Sequence, residues 1–266
     1  MIPKIIHYCW YGRGQMSSEI EMCIESWRKY CPDYTIKRWD EDNSPMENPW
    51  VCEAYKHQKY AFVADYVRFY ALYHEGGVYM DTDMLLVKPI DDLLNDSAFL
   101  GRESANFASM GIIGTEKYSD FAKMCMELYD NMKFSLAKIP TVPSLITSQL
   151  VCYGLSKEDI TQRLINGLVV YQSDYFYPVY GRKALDKYER FELAATQNSY
   201  GVHLWTVSWS DEISMIYHGQ VRKGLSKVWA RFKRTPFLPI GYWLKVIKAC
   251  LSTTWLGTLY QKYKKQ

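Results

Sequence analysis

No acidic residue follows Glu212. Beyond it lie eleven of the 32 lysines and arginines, so residues 213–266 carry +11 and residues 1–212 carry −8, a division hidden by the net +3. The seven cysteines, at positions 9, 23, 31, 52, 125, 152 and 250, form no CxxC pair and are odd in number. That argues against a disulfide framework or a zinc site and favours buried thiols in a reducing compartment. No stretch of 18 uninterrupted apolar residues exists, so no membrane-spanning helix is expected. The opening IPKIIHYCW reads as a strand, with no basic region ahead of a signal-type apolar core, and no leader is expected. GxSxG, Walker-type, HExxH and GxGxxG motifs are absent, and His7, His57, His74 and His218 have no spacing that marks a site. There is no internal repeat and no low-complexity segment.

What is present is apolar and aromatic. With 266 residues, 48% of them hydrophobic, the chain can bury the core of one large domain or of a domain with an appendage. Its 23 Tyr and 9 Trp suit stacking against flat or sugar-like ligands. Ile2 to Trp10 predicts a buried strand closed by Gly12 and Gly14. Ser18 and Glu21 have capping-box spacing ahead of a helix with Ile20, Cys23, Ile24 and Trp27 on one face. A second strand follows at Thr35–Trp39, then a short helix to Lys56. Further strands are expected at 98–101, 110–114, 168–171 and 200–205, and helices at 91–94, at 120–132 and after a loop marked by Pro140 and Pro143, where Ser144 can act as cap. Strand–helix–strand–helix at the start points to an α/β layer on a mixed, mostly parallel sheet.

The centre of the chain is YAFVADYVRFYALYHEGGVYMDTDMLLVKP, residues 60–89. It predicts an apolar-faced helix, a Gly76-Gly77 stop, and a short buried strand that ends in Asp81-Thr82-Asp83. Two acids interrupting a buried strand are costly unless a positive charge compensates them. The triplet alone is weak, since 15 Asp in this length yield about one Asp-x-Asp by chance. A second one, Asp40-Glu41-Asp42, falls in a polar turn and reads as solvated surface. Context separates the two. Ligands of open α/β sheets bind beyond the carboxyl ends of strands, where hard oxygens suit Mg²⁺ or Mn²⁺ holding a diphosphate. A merely structural carboxylate pair is the other reading. Asp65 and Arg68 share a helix face three residues apart, consistent with reach into one cleft or with a simple intrahelical ion pair.

IPKIIHYCWYG, the run AFVADYVRFYALYHEGGVYMDTDM, and HLWTVSW from His203 together resemble glycosyltransferase family 32 over roughly residues 1–210. This family of DXD-containing sugar transferases includes yeast α-1,6-mannosyltransferases and bacterial capsule enzymes. The resemblance implies a GT-A-type, Rossmann-like fold, Mn²⁺ or Mg²⁺, a nucleotide-sugar donor and retention at the anomeric carbon. It implies Asp83 as metal ligand, Asp81 on ribose and donor sugar, Asp65 and Arg68 on ribose and sugar hydroxyls, and Trp10 stacked on the base. Arg68 would also offset charge on the leaving diphosphate. His203 would join the metal shell and Trp209 would donate its indole N–H to a phosphate. Leu204 stands where relatives often have a second histidine. A core tryptophan and a core strand histidine are the competing readings of Trp10 and His203. Asn106, in GRESANFASMGIIG, falls where the family reads the donor sugar; as a loop Asn it is also an ordinary turn residue.

The division of charge sets residues 1–212 as catalytic domain and 213–266 as a basic, aromatic-rich helical extension. Arg231, Lys233, Arg234, Lys245 and Lys248 interleave there with Phe232, Trp243, Val246, Ile247 and Leu251, as in interfacial helices on anionic lipid. A helical pair packed on the catalytic domain is the alternative, and no motif accompanies the charge that would make nucleic acid the partner. The expectation is therefore a cytoplasmic enzyme, peripheral on the inner face of a bacterial membrane. It would move a hexose from a nucleoside diphosphate sugar, with UDP favoured as the base carrier and galactose or a related hexose as the sugar, to a lipid-linked or oligosaccharide acceptor in surface (capsular) polysaccharide synthesis. A nucleotide-sugar hydrolase and a non-catalytic, membrane-bound scaffold are the competing functions.

Overall fold

The structure, a computed structural model, describes residues 1–135, 141–206, 212–217, 221–234, 238 and 240–252. The chain forms two compact units. One comprises Met1–Tyr180 and Tyr188–Leu204, the other Gly181–Lys187 and Trp205–Gln266.

The first unit is built on a seven-stranded sheet. In chain order its early elements are β1 (Ile5–Cys9), α1 (Ser18–Tyr30), β2 (Thr35–Trp39), α2 (Pro49–Lys56), α3 (Tyr60–Glu75) and β3 (Gly77–Met80). Then come β4 (Met84–Leu86), β5 (Ala98–Ser104), β6 (Phe107–Thr115), α4 (Asp120–Asp130), α5 (Val142–Val151), β7 (Gln162–Arg163) and β8 (Val169–Tyr171). After α6 (Arg182–Leu185), which belongs to the second unit, β9 (Gly201–His203) completes the first. The sheet order is β2-β1-β3-β6-β5-β8-β7, and β4 and β9 form a separate ribbon. Pairings β1–β2, β1–β3 and β5–β8 are parallel; β3–β6, β5–β6 and β7–β8 are antiparallel. This is the mixed α/β sheet with flanking helices that the sequence predicts.

Helix α3 is the buried spine. Val63, Val67, Phe69, Ala71 and Leu72 have no exposed surface, and they pack with Leu100, Ile113 and Cys125 in the main core. Burying a Phe or Leu side chain contributes about 1.5–3 kcal/mol. The helix stops at Gly76, and Gly76 and Gly77 both adopt positive φ, at +68° and +102°. A Cβ on Gly77 would lie 2.6 Å from the Ile5 carbonyl oxygen, so only glycine lets β3 start this close to β1. His7 locks the corner. Its Nε2 donates to the Gly76 carbonyl at 2.8 Å while Nδ1 accepts from Trp39 Nε1 at 3.1 Å, and burial holds its pKa below the usual value. A neutral, structural histidine results.

Three local expectations shift. Ser17, not Ser18, is the N-cap of α1, with Glu21 N–H bonding its carbonyl, so the Ser18–Glu21 box is not formed. Pro143 lies inside the first turn of α5, where a missing N–H is harmless, and Ser144 is helical behind the cap Thr141. The strands expected at 98–101 and 110–114 extend into one hairpin with Ala105-Asn106 at its tip. Polar Arg102 hides this extension from the apolar pattern. It is fully buried, its guanidinium donating to the Ser156 and Ala105 carbonyls and to Gln162 Oε1.

In the second unit, α7 (Glu212–Tyr217), α8 (Val221–Arg234) and α9 (Ile240–Ser252) confirm a helical C-terminal extension.

Candidate active site

Asp81-Thr82-Asp83 is the tight turn from β3 into β4. Asp81 N–H bonds the Gly111 carbonyl of β6 at 2.8 Å, and Met84 N–H returns to the Asp81 carbonyl at 2.9 Å. Helix α1 holds the outgoing strand: Trp27 Nε1 donates to the Met84 carbonyl at 2.7 Å, and Leu86 N–H to Ser26 Oγ at 2.9 Å. In the β4–β9 ribbon Met84 pairs with His203. Leu204 N–H bonds the Asp83 carbonyl at 2.8 Å, and His203 Nε2 comes to 3.2 Å from Asp83 Oδ1. A residue 120 positions downstream is thereby set against the turn by strand pairing.

From the other side, α3 delivers Asp65 and Arg68, both buried. The intrahelical pair is real, with Arg68 Nη2 at 2.9 Å from Asp65 Oδ1, but the guanidinium does more. Its Nη1 donates to the Met110 carbonyl at 2.7 Å and lies 3.4 Å from Asp81 Oδ1. Its face covers the Tyr79 ring at 4.7 Å, and the Tyr79 hydroxyl donates to Asp81 Oδ1 at 3.1 Å. The geometry thus contains both readings of the Asp65–Arg68 spacing. Burial pushes the Asp65 carboxyl up to about 7 against the pull of Arg68, with Asp81 adding to the rise. Burial opposes the Arg68 charge too, but Tyr79, Asp81 and Asp65 more than offset it. Arg68 stays cationic.

One ligand atom each from Asp81, Asp83 and His203 lies within 4.8 Å of the others. At an effective dielectric of about 20, two carboxylates at that separation repel by roughly 3 kcal/mol. Each has a basic side chain at hand: Arg68 beside Asp81, and His203 beside Asp83. Burial works against the charged His203 ring, but Asp83 raises its pKa overall. Two carboxylates and one imidazole fit a Mn²⁺- or Mg²⁺-type ion that keeps further positions for phosphate oxygens.

Trp10 sits at the carboxyl end of β1. Its backbone N–H bonds the Trp39 carbonyl of the neighbouring β2 at 2.9 Å. It is half-buried rather than core, and its indole N–H donates to the Gly14 carbonyl at 2.7 Å. Asn106 is not brought to this group. It is the exposed tip of the β5–β6 hairpin, five strand positions from Gly111, or roughly 16 Å. Trp209 lies outside the described residues.

Three neighbours escaped the sequence reading. A Cβ on Gly111 would lie 2.7 Å from Tyr177 Oη, 3.1 Å from Asp81 Oδ2 and 3.4 Å from His203 Cδ2, so this glycine makes room for the cluster. Its signal is a glycine inside a strand pattern. The Tyr177 ring lies 5.3 Å from that of His203. Glu103, on β5, has its carboxyl raised by burial against the pull of His203. Neither of these has a sequence signature.

Residues 17–100 match the family model described as "glycosyltransferase sugar-binding region containing DXD motif". The match holds Asp65, Arg68, Asp81 and Asp83, but not Trp10, Asn106 or His203. Among curated proteins, the chain is 32% identical over 123 residues to mannosyl phosphorylinositol ceramide synthase CSH1 of Saccharomyces cerevisiae, covering 43% of this chain and 32% of that protein. It is 27% identical over 145 residues to human alpha-1,4-N-acetylglucosaminyltransferase, covering 53% and 42%. The chain spans about a third of the length of the yeast relative. Among solved structures, PaToxG glycosyltransferase aligns with a TM-score of 0.46 at 19% identity, over 57% of this chain and 68% of that one. Residues 17–100, with the Asp81-Thr82-Asp83 turn near their end, are thus similar to a DXD-containing glycosyltransferase sugar-binding region.

Proposed function

We propose that this chain transfers a hexose or N-acetylhexosamine from a nucleoside diphosphate sugar to a glycan or lipid-linked hydroxyl, with retention at the anomeric carbon. One observation carries the reading: Asp81, Asp83 and His203 converge beside Arg68, in and next to the matched DXD region. Residues 1–212 would form the catalytic part. The relatives' names speak of mannose and N-acetylglucosamine, so these sugars replace galactose as first candidates, and fungal and human relatives lend no support to a bacterial capsule role.

Asp81, Asp83 and His203 would hold Mn²⁺ or Mg²⁺, which when bound supplies Lewis-acid neutralisation of the departing diphosphate. Arg68 adds a fixed cation beside that group, oriented in advance by Asp65 and the Met110 carbonyl, so it needs no reorganisation as charge develops. Trp10 offers a half-buried ring at the same sheet edge for the base. The bond from the anomeric carbon to phosphate oxygen breaks through an oxocarbenium-like state. The acceptor oxygen bonds to the same face, and its proton passes to the leaving phosphate. This route needs no protein nucleophile.

Titration calorimetry with UDP and GDP, with and without Mn²⁺, tests the reading, followed by product analysis with sugar and lipid acceptors. Metal-dependent binding of one nucleotide and acceptor-dependent product formation are expected. Binding of neither nucleotide overturns the donor site; release of free sugar alone, unaffected by acceptors, makes the protein a hydrolase.

A further inference from the structure

The second unit has more apolar helix surface than its own core uses. That core is small: Ile216 of α7, Val228 of α8, and Val246 and Ala249 of α9, with Tyr242 and Trp243 packed alongside. It consumes one face of α9. On the opposite face Ile240, Leu244, Ile247 and Leu251 recur at steps of four, three and four residues, the spacing of a single helical stripe, and they are 54–80% exposed. On α8, Leu225 and Trp229 are 41% and 57% exposed beside the face that carries Val228. Trp229 stacks on Phe232 at 5.6 Å, and Phe232 meets Trp243 of α9 edge-on at 5.8 Å. A helix apolar on two sides needs two partners.

The charge beside these stripes says what the second partner is. Lys245 and Lys248 flank the α9 stripe and are exposed, as are Arg222, Lys227 and Lys233 on α8; Lys233 Nζ lies 5.7 Å from the centre of the Trp229 ring. Residues 213–266 contain no Asp or Glu. Stacking this face on a second copy would bring the exposed lysines and arginines of both helices together with no acid of α8 or α9 to offset them. Nucleic acid would take the charge and leave the leucines and isoleucines in water. An occupant that is anionic at its surface and apolar just beneath satisfies both, and no helix among the described residues is long and apolar enough to span a membrane. We infer that α8 and α9 dock this chain on an anionic lipid bilayer. The Ile240–Leu251 stripe and Trp229 enter the acyl–headgroup boundary, and the flanking Lys and Arg reach the lipid phosphates. The inference does not depend on the catalytic reading.

Flotation of the full chain with phosphatidylcholine vesicles, plain or carrying about one-third phosphatidylglycerol, tests it. The wild type should float with anionic vesicles and stay behind with neutral ones. The triple change Leu244→Asn, Ile247→Asn, Leu251→Asn should lower partitioning at least ~10-fold, and Lys245→Gln with Lys248→Gln by a similar factor that high salt reproduces in the wild type. Circular dichroism checks that both variants fold. Recovery of the wild type in the unbound fraction with anionic vesicles overturns the inference. So does a dimer in sedimentation that the triple variant alone converts to monomer, which would assign the stripe to a second copy.

Discussion

Two Asp-x-Asp turns, 41 residues apart along the chain, behave as opposites. At Asp40-Glu41-Asp42 the carboxylates diverge, each to a partner of its own. Asp40 takes Arg38 at 2.6 Å, Glu41 accepts from Gly12 N–H at 2.7 Å and the Tyr55 hydroxyl at 3.0 Å, and Asp42 takes Arg13 at 2.7 Å with both side chains largely in water. The turn closes a surface loop. At Asp81-Thr82-Asp83 the carboxylates converge, and two basic side chains beside them, Arg68 and His203, arrive from other elements and are themselves buried or nearly so. Satisfied acids on a surface are structural; acids concentrated against each other in a shielded place hold unspent affinity for a cation.

Moving the same substitution between the two turns should break the comparison most sharply. Asp83→Asn should lower kcat/KM by ~10³-fold and abolish Mn²⁺ binding in calorimetry. Asp42→Asn should leave both unchanged, with stability within about 0.5 kcal/mol of wild type, since an exposed pair contributes little. Equal effects would erase the distinction.

A smaller effect should come from crowding the convergent turn without touching its charge. Gly111→Ala places a methyl group 2.7 Å from Tyr177 Oη and 3.1 Å from Asp81 Oδ2. Metal affinity should fall roughly 10-fold while the fold survives at a cost of ~1–3 kcal/mol, read by calorimetry and thermal unfolding. Unchanged affinity would mean the cluster does not depend on that close approach.

The mildest test concerns pH. The Asp65 carboxyl rises on folding from 3.8 to about 7, so the protonated form prevails below that value and the ionised pair with Arg68 is complete only above it. kcat/KM should therefore climb through pH 7, and Asp65→Asn should flatten that limb. Folding stability runs the other way. An acid whose pKa is raised on folding loses stabilisation as pH increases between the two values, so wild-type stability should decline across pH 4–7 and the variant's should not. A retained limb in Asp65→Asn assigns the titration elsewhere.

Much of the scaffold was legible because it rests on local rules. Thr35–Trp39 is a strand as read, α3 follows its apolar period, and Gly76-Gly77 ends it because no other residue fits so tight a corner. Capping was less legible: Ser17 and Ser18 are chemically alike, and one residue of shift decides which is helical. The β5–β6 hairpin was misjudged as two short strands because a buried Arg102 with three carbonyl and amide contacts looks, in a pattern of apolar residues, like a loop. Asn106, placed by resemblance among the donor-sugar contacts with a turn residue as the other reading, is the tip of that hairpin.

The sequence by itself determined that Asp81 and Asp83 end a buried strand, that Asp65 and Arg68 share a helix face, and that the stretch holding α8 and α9 is basic and helix-forming. Period, glycine placement and charge count are properties of neighbours along the chain. Only the tertiary structure decided that Arg68 reaches Asp81, that Gly111 leaves space beside it, and that His203 faces Asp83. Those contacts are made by strand pairing and helix packing between residues 13 to 120 positions apart, where spacing along the chain does not fix distance in space.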